Sequence, residues 1–136
     1  MDRVLVDSGF LVALGRRSDR RHAAAVAYLK ASDEQLVTAG AVVVETCYFL
    51  NARAKRELLR WIAVGGILVA EIPPSNYDDL GAIIERYASR DIDLADAALV
   101  WLADQTGVRR ILTLDTVDFT LFRLQGGKSF DLVDWA

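Results

Sequence analysis

Four carboxylate side chains lie inside or directly after apolar runs of this 136-residue chain, and they are Asp7, Glu45, Asp96 and Asp115. The runs are built from Val, Leu, Ile, Ala and aromatic residues, and none of them contains Lys or Arg. Burying a carboxylate without a partner is costly, so such acids need a compensating positive charge. If the four acids meet in the fold, a divalent cation is the most economical partner. A metal-dependent hydrolytic site is therefore the leading hypothesis.

Short apolar runs alternate with helical patterns along the chain, which predicts an α/β fold with a parallel sheet covered on both faces. Strands are predicted at residues 4–6, 36–38, 67–72, 110–114 and 130–133. Helices are predicted around residues 23–30, 41–52, 55–64, 80–87 and 93–106. The length suits one domain spanning residues 1–136.

Three predicted helix starts and one helix end rest on capping residues. Asp19 and Asp93 are predicted to cap the amino ends of two helices. Ser75 with Asp78 resembles a capping box for a third helix. Gly107 is the signal that ends the helix begun by Asp93.

The predicted topology brings the four acids to one edge of the sheet. In a parallel α/β sheet, the carboxyl ends of strands and the starts of the following helices share an edge, where ligands bind. Asp7 and Asp115 follow strands, whereas Glu45 and Asp96 come in the first turns of helices.

Two unit charges about 4 Å apart repel by on the order of 4 kcal/mol at an effective dielectric near 20. Each helix amino end offsets only about 0.3–1 kcal/mol. Either some acids protonate or a cation binds, and Mg²⁺ or Mn²⁺ suits an all-oxygen site.

Most of these acids also have an ordinary structural explanation. Asp96 follows Asp93 by three residues, which fits a helix cap and the third helical position. Asp7 and Asp115 fit turns after strands. Glu45 has no capping role in the middle of an apolar helix, and it is the joint placement of the acids that favours a functional site.

The formal net charge of -3 does not by itself indicate a nucleic-acid-binding protein. Two basic clusters are nevertheless present, one at Arg16, Arg17, Arg20 and Arg21 and one at Arg53, Lys55, Arg56 and Arg60. A solvated helix face explains each cluster at least as simply as a binding role does. Only a nearby catalytic site for a polyanion would favour contact.

Cysteine and histidine content argues against zinc and for a reducing compartment. The single Cys47 cannot form an intramolecular disulfide, and its apolar surroundings suggest a small core residue. Cys47 and the single His22 do not have metal-ligand spacing. The amino terminus has no basic region followed by an apolar segment and a cleavage site, so we predict a cytoplasmic protein without a signal peptide. No apolar run is long enough for a membrane span.

Four segments of the chain resemble those that carry the acids of PIN domains, and they are residues 4–14, 38–45, 93–100 and 112–119. Their order and spacing, and the chain length, are similar to those of the VapC-type toxins of bacterial toxin–antitoxin pairs. The resemblance implies a three-layer α/β/α sandwich with a five-stranded parallel sheet. It also implies a Mg²⁺- or Mn²⁺-dependent endoribonuclease.

The resemblance assigns roles by position. Asp7, Glu45 and Asp96 match the core acidic triad of PIN domains, and these would be catalytic and metal-binding residues. Asp115 matches a less uniform fourth acid, and Asp93 matches an extra acid seen in part of the family.

The resemblance also implies supporting residues and partners. Ser8 would orient Asp7 or a metal-bound water through its hydroxyl, and Thr113 would do similar work near Asp115. The family further implies a homodimer and an antitoxin whose tail blocks the acidic pocket. Because they follow soon after Asp7, the basic residues of the first cluster are candidates for contact with RNA phosphates, and these are Arg16, Arg17, Arg20 and Arg21.

Two other functions stay open at this point. The acids could capture a basic peptide or a structural cation in a non-catalytic binding module. A phosphoacceptor receiver domain also places acids at the edge of a parallel sheet, but it needs a Lys on a late strand, which this sequence lacks. A dinucleotide-binding domain is disfavoured because no Gly-x-Gly-x-x-Gly follows the first strand. The RNA target itself is not encoded in arginines alone.

Overall fold

The computed structural model describes residues 2–136 and is organised around a five-stranded sheet whose paired strands all run parallel. The strands are β1 (Arg3–Val6), β2 (Gln35–Ala39), β3 (Leu68–Ala70), β4 (Arg110–Leu112) and β5 (Asp131–Leu132). Their spatial order is β3-β2-β1-β4-β5, which places β1 at the centre. The chain moves outward from β1 to β3 on one side and continues from β4 to β5 on the other. The strand order therefore reverses between β1 and β4, where α/β folds open their binding crevice.

Seven α-helices are present between residues 2 and 136. They are α1 (Ser8–Gly15), α2 (His22–Ala31), α3 (Gly40–Tyr48), α4 (Ala52–Ala63), α5 (Tyr77–Arg86), α6 (Leu94–Thr106) and α7 (Thr116–Leu121). Helix α1 packs against α2, α3 and α4, while α5 packs against α6. The predicted α/β/α architecture with a five-stranded parallel sheet is confirmed. None of the helices in this part of the chain has the length and apolar character needed to cross a bilayer.

The most deeply buried elements are the central strand and helix α6. Residues 4–6 of β1 are fully buried, and α6 is buried along most of its length. A helix that is apolar on all sides belongs inside a core, because each buried Val or Leu side chain contributes about 1.5–3 kcal/mol. Asp7 directly follows β1, and Asp96 lies in the first turn of α6. The two acids are thus held by the least deformable parts of the fold.

Two short helices, α1 and α7, are absent from the sequence predictions. Each begins directly after a predicted site acid, Asp7 for α1 and Asp115 for α7, and that acid is the N-cap. The chain does turn at Asp7 and Asp115 as expected, and a short helix then follows each turn. Short helices give little periodic signal, because two turns offer few apolar repeats.

Two predicted caps and one predicted helix boundary are wrong. The Asp19 carboxylate accepts a hydrogen bond from the backbone amide of Arg21 at 2.8 Å and so closes a turn before α2. Ser75 lies within a 3-10 turn, Pro74–Asn76, and α5 begins after it without a side-chain cap. The helix predicted at 41–52 ends at Tyr48, and the Asn51 side chain caps α4 at the amide of Ala54.

Candidate metal centre

Asp7 is a buried carboxylate at the carboxyl end of β1, with only 7% of its surface exposed. One carboxylate oxygen, Oδ1, accepts a hydrogen bond from the amide of Ser8 at 2.8 Å. The other, Oδ2, accepts one from the hydroxyl of Thr113 at 2.8 Å. Burial raises the pKa of Asp7, and the hydrogen bonds from Thr113 and Ser8 oppose that rise. The negative charges of Asp93 and Asp115 raise the pKa further, so Asp7 lies in an acidic environment.

Thr113 joins the ends of the two neighbouring strands β1 and β4. Its hydroxyl donates to Asp7 and accepts from the backbone amide of Asp115 at 3.0 Å. The sequence placed Thr113 near Asp115, and the structure puts it between Asp115 and Asp7. On the other side of β1, the buried hydroxyl of Thr38 donates to the carbonyl of Val6 at 2.7 Å. These two threonines fix the backbone before Asp7 and the orientation of its carboxylate.

Asp93 and Asp96 form a capping box at the start of α6. The Asp93 carboxylate accepts from the amide of Asp96 at 2.9 Å, and the Asp96 carboxylate accepts from the amide of Asp93 at 3.4 Å. Bonds to helix amides favour the charged form of a carboxylate. Burial and the charges of Asp93 and Asp7 nevertheless raise the pKa of Asp96 to about 8. The capping role is therefore present, but it does not account for the electrostatics of Asp96.

Glu45 lies on the second turn of α3 and is half-buried. Burial raises the pKa of its carboxyl group, and the charges of Asp93 and Asp7 add to the rise. The Ser8 side chain opposes this shift through a hydrogen bond. The backbone amide of Ser8 donates to Asp7, and its side chain lowers the pKa of Glu45. The role expected for its hydroxyl, to orient Asp7 or a metal-bound water, stays a prediction.

Asp115 and Asp118 form a second pair at the start of α7. Asp115 is the N-cap, and its carboxylate accepts from the amide of Asp118 at 3.0 Å. Burial raises the pKa of Asp115, and the charge of Asp118 contributes to that rise while Arg90 opposes it. Carboxylate oxygens of Asp96, Asp115 and Asp118 lie within 4.8 Å of one another. Asp118 is thus part of the site, although it was not among the residues chosen from the sequence.

Asp118 and Arg90 lie at the acids but were not identified from the sequence. Asp118 follows Asp115 at the same three-residue spacing that relates Asp93 to Asp96 at another helix start. Arg90 pairs with Asp118 at 2.6 Å, although the two residues are 28 positions apart in the sequence. The spacing could have identified Asp118, whereas nothing local in the sequence points to Arg90.

We use the name acid cluster for six carboxylates that are linked by these hydrogen bonds or by the effect of their charges on one another's pKa, namely Asp7, Glu45, Asp93, Asp96, Asp115 and Asp118. Among residues 2–136, the group whose oxygens all lie within 4.8 Å of one another is Asp96, Asp115 and Asp118, and it does not include Asp7 or Glu45. Within residues 2–136, Arg90 supplies the one ion pair to this cluster. Six carboxylates against one guanidinium leave a large excess of negative charge. Burial is the main cause of the raised pKa values of Asp7, Glu45, Asp96 and Asp115, and the charges of neighbouring acids add to it. An all-carboxylate donor set fits a hard divalent cation such as Mg²⁺ or Mn²⁺.

Softer metal ligands do not join the acid cluster. A ring nitrogen of His22 lies 2.8 Å from the carbonyl oxygen of Ala13, at the start of α2. Cys47 packs against the small apolar group of Leu50, Ala54 and Leu58. Neither side chain is therefore placed for a zinc site with the acids.

The two basic clusters of the sequence meet in the fold. Arg16 and Arg17, in the loop after α1, line a cavity of about 570 Å³ together with Arg53 of α4. Arg20 and Arg21 line a different cavity, also about 570 Å³, whose wall includes Thr113 and Thr116 next to Asp115. The first cluster therefore lies in the loop between α1 and α2 and not on a helix face, and only its Arg20 and Arg21 share a cavity with the residues on either side of Asp115.

Comparison with known proteins agrees with this architecture. A profile of the PIN domain matches residues 4–122. The ribonuclease VapC26 of Mycobacterium tuberculosis is 31% identical over 134 residues, which are 96% of this chain and 99% of that relative. The crystal structure of Mycobacterium tuberculosis VapC20, a sarcin-ricin loop cleaving toxin, superposes with a TM-score of 0.77 at 21% identity. The match covers 84% of this chain and 91% of that one, and it concerns the fold. The chain belongs to the PIN domain family, and its relationship to VapC ribonucleases extends over nearly its whole length.

Proposed function

We propose that this protein is a metal-dependent endoribonuclease that hydrolyses RNA phosphodiester bonds and acts as the toxin of a type II toxin–antitoxin pair. The observation that carries the proposal is that carboxylates distant in sequence lie near one another at one edge of the sheet. Oxygens of Asp96, Asp115 and Asp118 lie within 4.8 Å of one another, and the charge of Asp7 raises the pKa of both Glu45 and Asp96. The ribonuclease relative, similar from end to end, supports RNA as the substrate.

Mg²⁺ or Mn²⁺ at the acid cluster would activate a water and neutralise charge that develops on the phosphate. Asp7 and Asp96 are the principal ligands in this proposal, because they are fixed by the buried elements β1 and α6. Glu45 and Asp115 would hold the ion or its waters, or accept a proton, and Asp93 would be an additional acid. Chelation of divalent cations tests the proposal directly. EDTA should abolish cleavage of RNA, and added Mg²⁺ or Mn²⁺ should restore it. Cleavage that is insensitive to EDTA would contradict the proposal.

Thr113→Val should lower RNA cleavage by about 10–100-fold while leaving the fold intact, because it removes the donor that orients the Asp7 carboxylate. Thr113→Ser should keep most of the activity, since it retains the hydroxyl. The matched control is Thr46→Val, which removes another buried hydroxyl, bonded to the carbonyl of Val42 at 2.7 Å inside α3. Cleavage rates of the three variants, with thermal melting as the test of folding, check this prediction. Equal activity of the two Val variants would refute the positioning role.

Replacing Arg20 and Arg21 with Gln should weaken RNA binding and make its salt dependence shallower. Both side chains line the cavity beside Asp115, where they can neutralise backbone phosphates. Each lost contact with a single strand should reduce the slope of log K against log salt concentration by about 0.7. The matched control replaces Arg3, the first residue of β1, and Arg109, which directly precedes β4, both at the opposite edge of the sheet. An unchanged salt slope would show that Arg20 and Arg21 are solvated side chains that do not contact RNA.

The remaining parts of the proposal concern assembly and location. We place the protein in the cytoplasm as one domain over residues 1–136, with a single cysteine that fits a reducing compartment. A homodimer is supported by exposed apolar side chains such as Val44, Val117 and Leu121. An antitoxin with a basic tail would find a complementary charge in the acid cluster. Sedimentation of the purified chain alone tests the dimer, and a monomer at micromolar concentration would refute it.

A further inference from the structure

Trp135 lies just beyond β5 and is buried, with only 8% of its surface exposed. It follows a series of backbone bonds between β5 and β4, the last of which runs from the amide of Val133 to the carbonyl of Ile111 at 3.0 Å. The same two-residue step would next bring the amide of Trp135 to the carbonyl of Thr113. The indole N–H donates to that carbonyl instead, at 3.3 Å. A side chain thus continues the pairing where the backbone of β5 has ended.

Thr113 is also the residue through which the chain after β4 holds the Asp7 carboxylate. The amide of Asp7 donates to the carbonyl of Leu112 at 2.9 Å, so the last residue of β4 fixes the Asp7 backbone. The next residue, Thr113, donates its hydroxyl to the Asp7 carboxylate at 2.8 Å. Because the carbonyl and the side chain of Thr113 are attached to the same Cα atom, a bond that holds the carbonyl also limits where the hydroxyl can lie. The indole of Trp135 supplies that bond.

The Trp135 ring also contacts the helix that begins after Asp7. Its centroid lies 4.8 Å from that of Phe10, with the planes inclined at 75°. Edge-to-face contact of this kind is a favoured arrangement of aromatic pairs. Phe10 is fully buried in the first turn of α1, whose N-cap is Asp7. Trp135 therefore joins the two elements on either side of the Asp7 carboxylate, the start of α1 and the end of β4.

We propose that Trp135 is a positioning residue for the acid cluster, because by fixing the end of β4 against α1 it keeps the Thr113 hydroxyl where it orients the Asp7 carboxylate toward a divalent cation. Trp135 touches neither the cation nor RNA, and it acts only through Thr113. Loss of a group that directly orients a metal ligand typically changes metal affinity or activity by about 10–100-fold. The inference rests on the proposed function and adds a residue to its metal site.

Trp101 provides the comparison that separates positioning from packing alone. It is 9% exposed on α6, and its indole N–H donates to the carboxylate of Asp79 at 3.4 Å. Burial and hydrogen-bond length therefore match those of Trp135, but the acceptor lies on α5, outside the acid cluster. Replacing either ring with Phe removes an indole N–H and some buried surface. Only the replacement of Trp135 should affect the acid cluster.

Binding of Mn²⁺ to the metal-free chain, measured by isothermal titration calorimetry, tests the proposal. Trp135→Phe should weaken it by about 3–10-fold, less than the loss of a direct partner of a metal ligand would. Trp101→Phe should bind Mn²⁺ as the wild type does, although both variants should melt at a lower temperature because each loses buried surface. Benzothienylalanine incorporated at position 135 keeps the bicyclic ring and replaces only the N–H with sulfur. It should weaken Mn²⁺ binding as Trp135→Phe does, and it preserves the packing if Trp135→Phe does not fold.

A double variant shows whether Trp135 acts through Thr113. Thr113→Val removes the hydroxyl that Trp135 would position, so adding Trp135→Phe should lower Mn²⁺ affinity and RNA cleavage little further. Two independent structural effects would instead multiply. In the single Trp135→Phe variant the loss of cleavage should fall on kcat, with KM for RNA changed by less than about 2-fold, because the indole does not contact the substrate.

Weaker Mn²⁺ binding with benzothienylalanine at position 135, wild-type binding in Trp101→Phe and no further loss in the double variant support the positioning role. Wild-type affinity in the folded benzothienylalanine protein, or losses that multiply in the double variant, overturns it and leaves Trp135 as a core residue. If the wild type binds Mn²⁺ and cleaves RNA while the Trp135 variants behave as Trp101→Phe does, only the positioning role is wrong. If the wild type neither binds Mn²⁺ nor shows metal-dependent cleavage, the proposed function is wrong and the positioning role falls with it.

Discussion

Asp7→Asn and Asp96→Asn should each lower metal-dependent RNA cleavage by at least about 10²–10³-fold, the loss seen when a group that stabilises transition-state charge is removed. Asn preserves the shape of the side chain and can still accept the hydrogen bonds from Ser8 or Asp93. What it removes is the negative charge that would hold the divalent cation. Initial rates of cleavage over a range of Mg²⁺ and Mn²⁺ concentrations measure the effect.

Asp33→Asn is the matched control for these two variants. Asp33 is exposed in the loop before β2, at the edge of the sheet away from the acid cluster, so its replacement should leave the rate unchanged. Circular dichroism and melting curves establish that all three variants fold. Full activity in a folded Asp7→Asn or Asp96→Asn protein would contradict the assignment of the site.

Asp96→Asn should also make the metal-free protein more stable at neutral and alkaline pH. The pKa of Asp96 is raised from 3.8 to about 8 in the folded chain. Between these two values the folded state binds more protons than the unfolded state, so stability falls as pH rises through this window. The Asp96→Asn variant would not lose stability in this way, because its neutral amide does not ionise as the pH rises. After allowance for solvent screening of this partly exposed group, the gain is on the order of 1 kcal/mol, or a rise in Tm of about 3–6 °C.

Melting curves in EDTA at pH 5 and pH 8.5 check the prediction. The wild type should lose more stability between these two pH values than Asp96→Asn does. Added Mg²⁺ or Mn²⁺ should stabilise the wild type more than the variant, because only a native site gains the binding free energy. A variant that melts below the wild type in EDTA at pH 8.5, or equal pH dependence of both proteins, would show that Asp96 carries no electrostatic strain.

The sequence predicted the strands and offered the four principal acids as site candidates because both inferences depend on simple regularities. Buried strands appear in the sequence as short apolar runs. Because Asp7 and Asp115 follow such strands, the parallel topology brings them to one edge of the sheet, and this can be predicted without knowledge of side-chain packing. Glu45 was identifiable because a carboxylate in the middle of an apolar helix has no structural use. These signals are local in sequence, even though the site they predict is not.

Other features depend on long-range contacts that one sequence does not encode. The ion pair between Arg90 and Asp118 joins residues that are 28 positions apart in the sequence. Arg16 and Arg17 line the same cavity as Arg53 only because of the way α4 packs. Tyr48 lies in an apolar run that predicts burial, but the helix ends there and turns its ring outward. Hydrophobic pattern alone does not distinguish a buried aromatic side chain from an exposed one.

A Mn²⁺-soaked crystal measured at the manganese absorption edge tests the central claim most directly. The account predicts an anomalous peak among the carboxylate oxygens of Asp7, Glu45 and Asp96, about 2.0–2.3 Å from its protein ligands. The peak should be absent or much weaker in Asp96→Asn crystals grown and soaked in the same way. Manganese bound only elsewhere on the chain, with the acid cluster empty at millimolar concentration, would contradict the account.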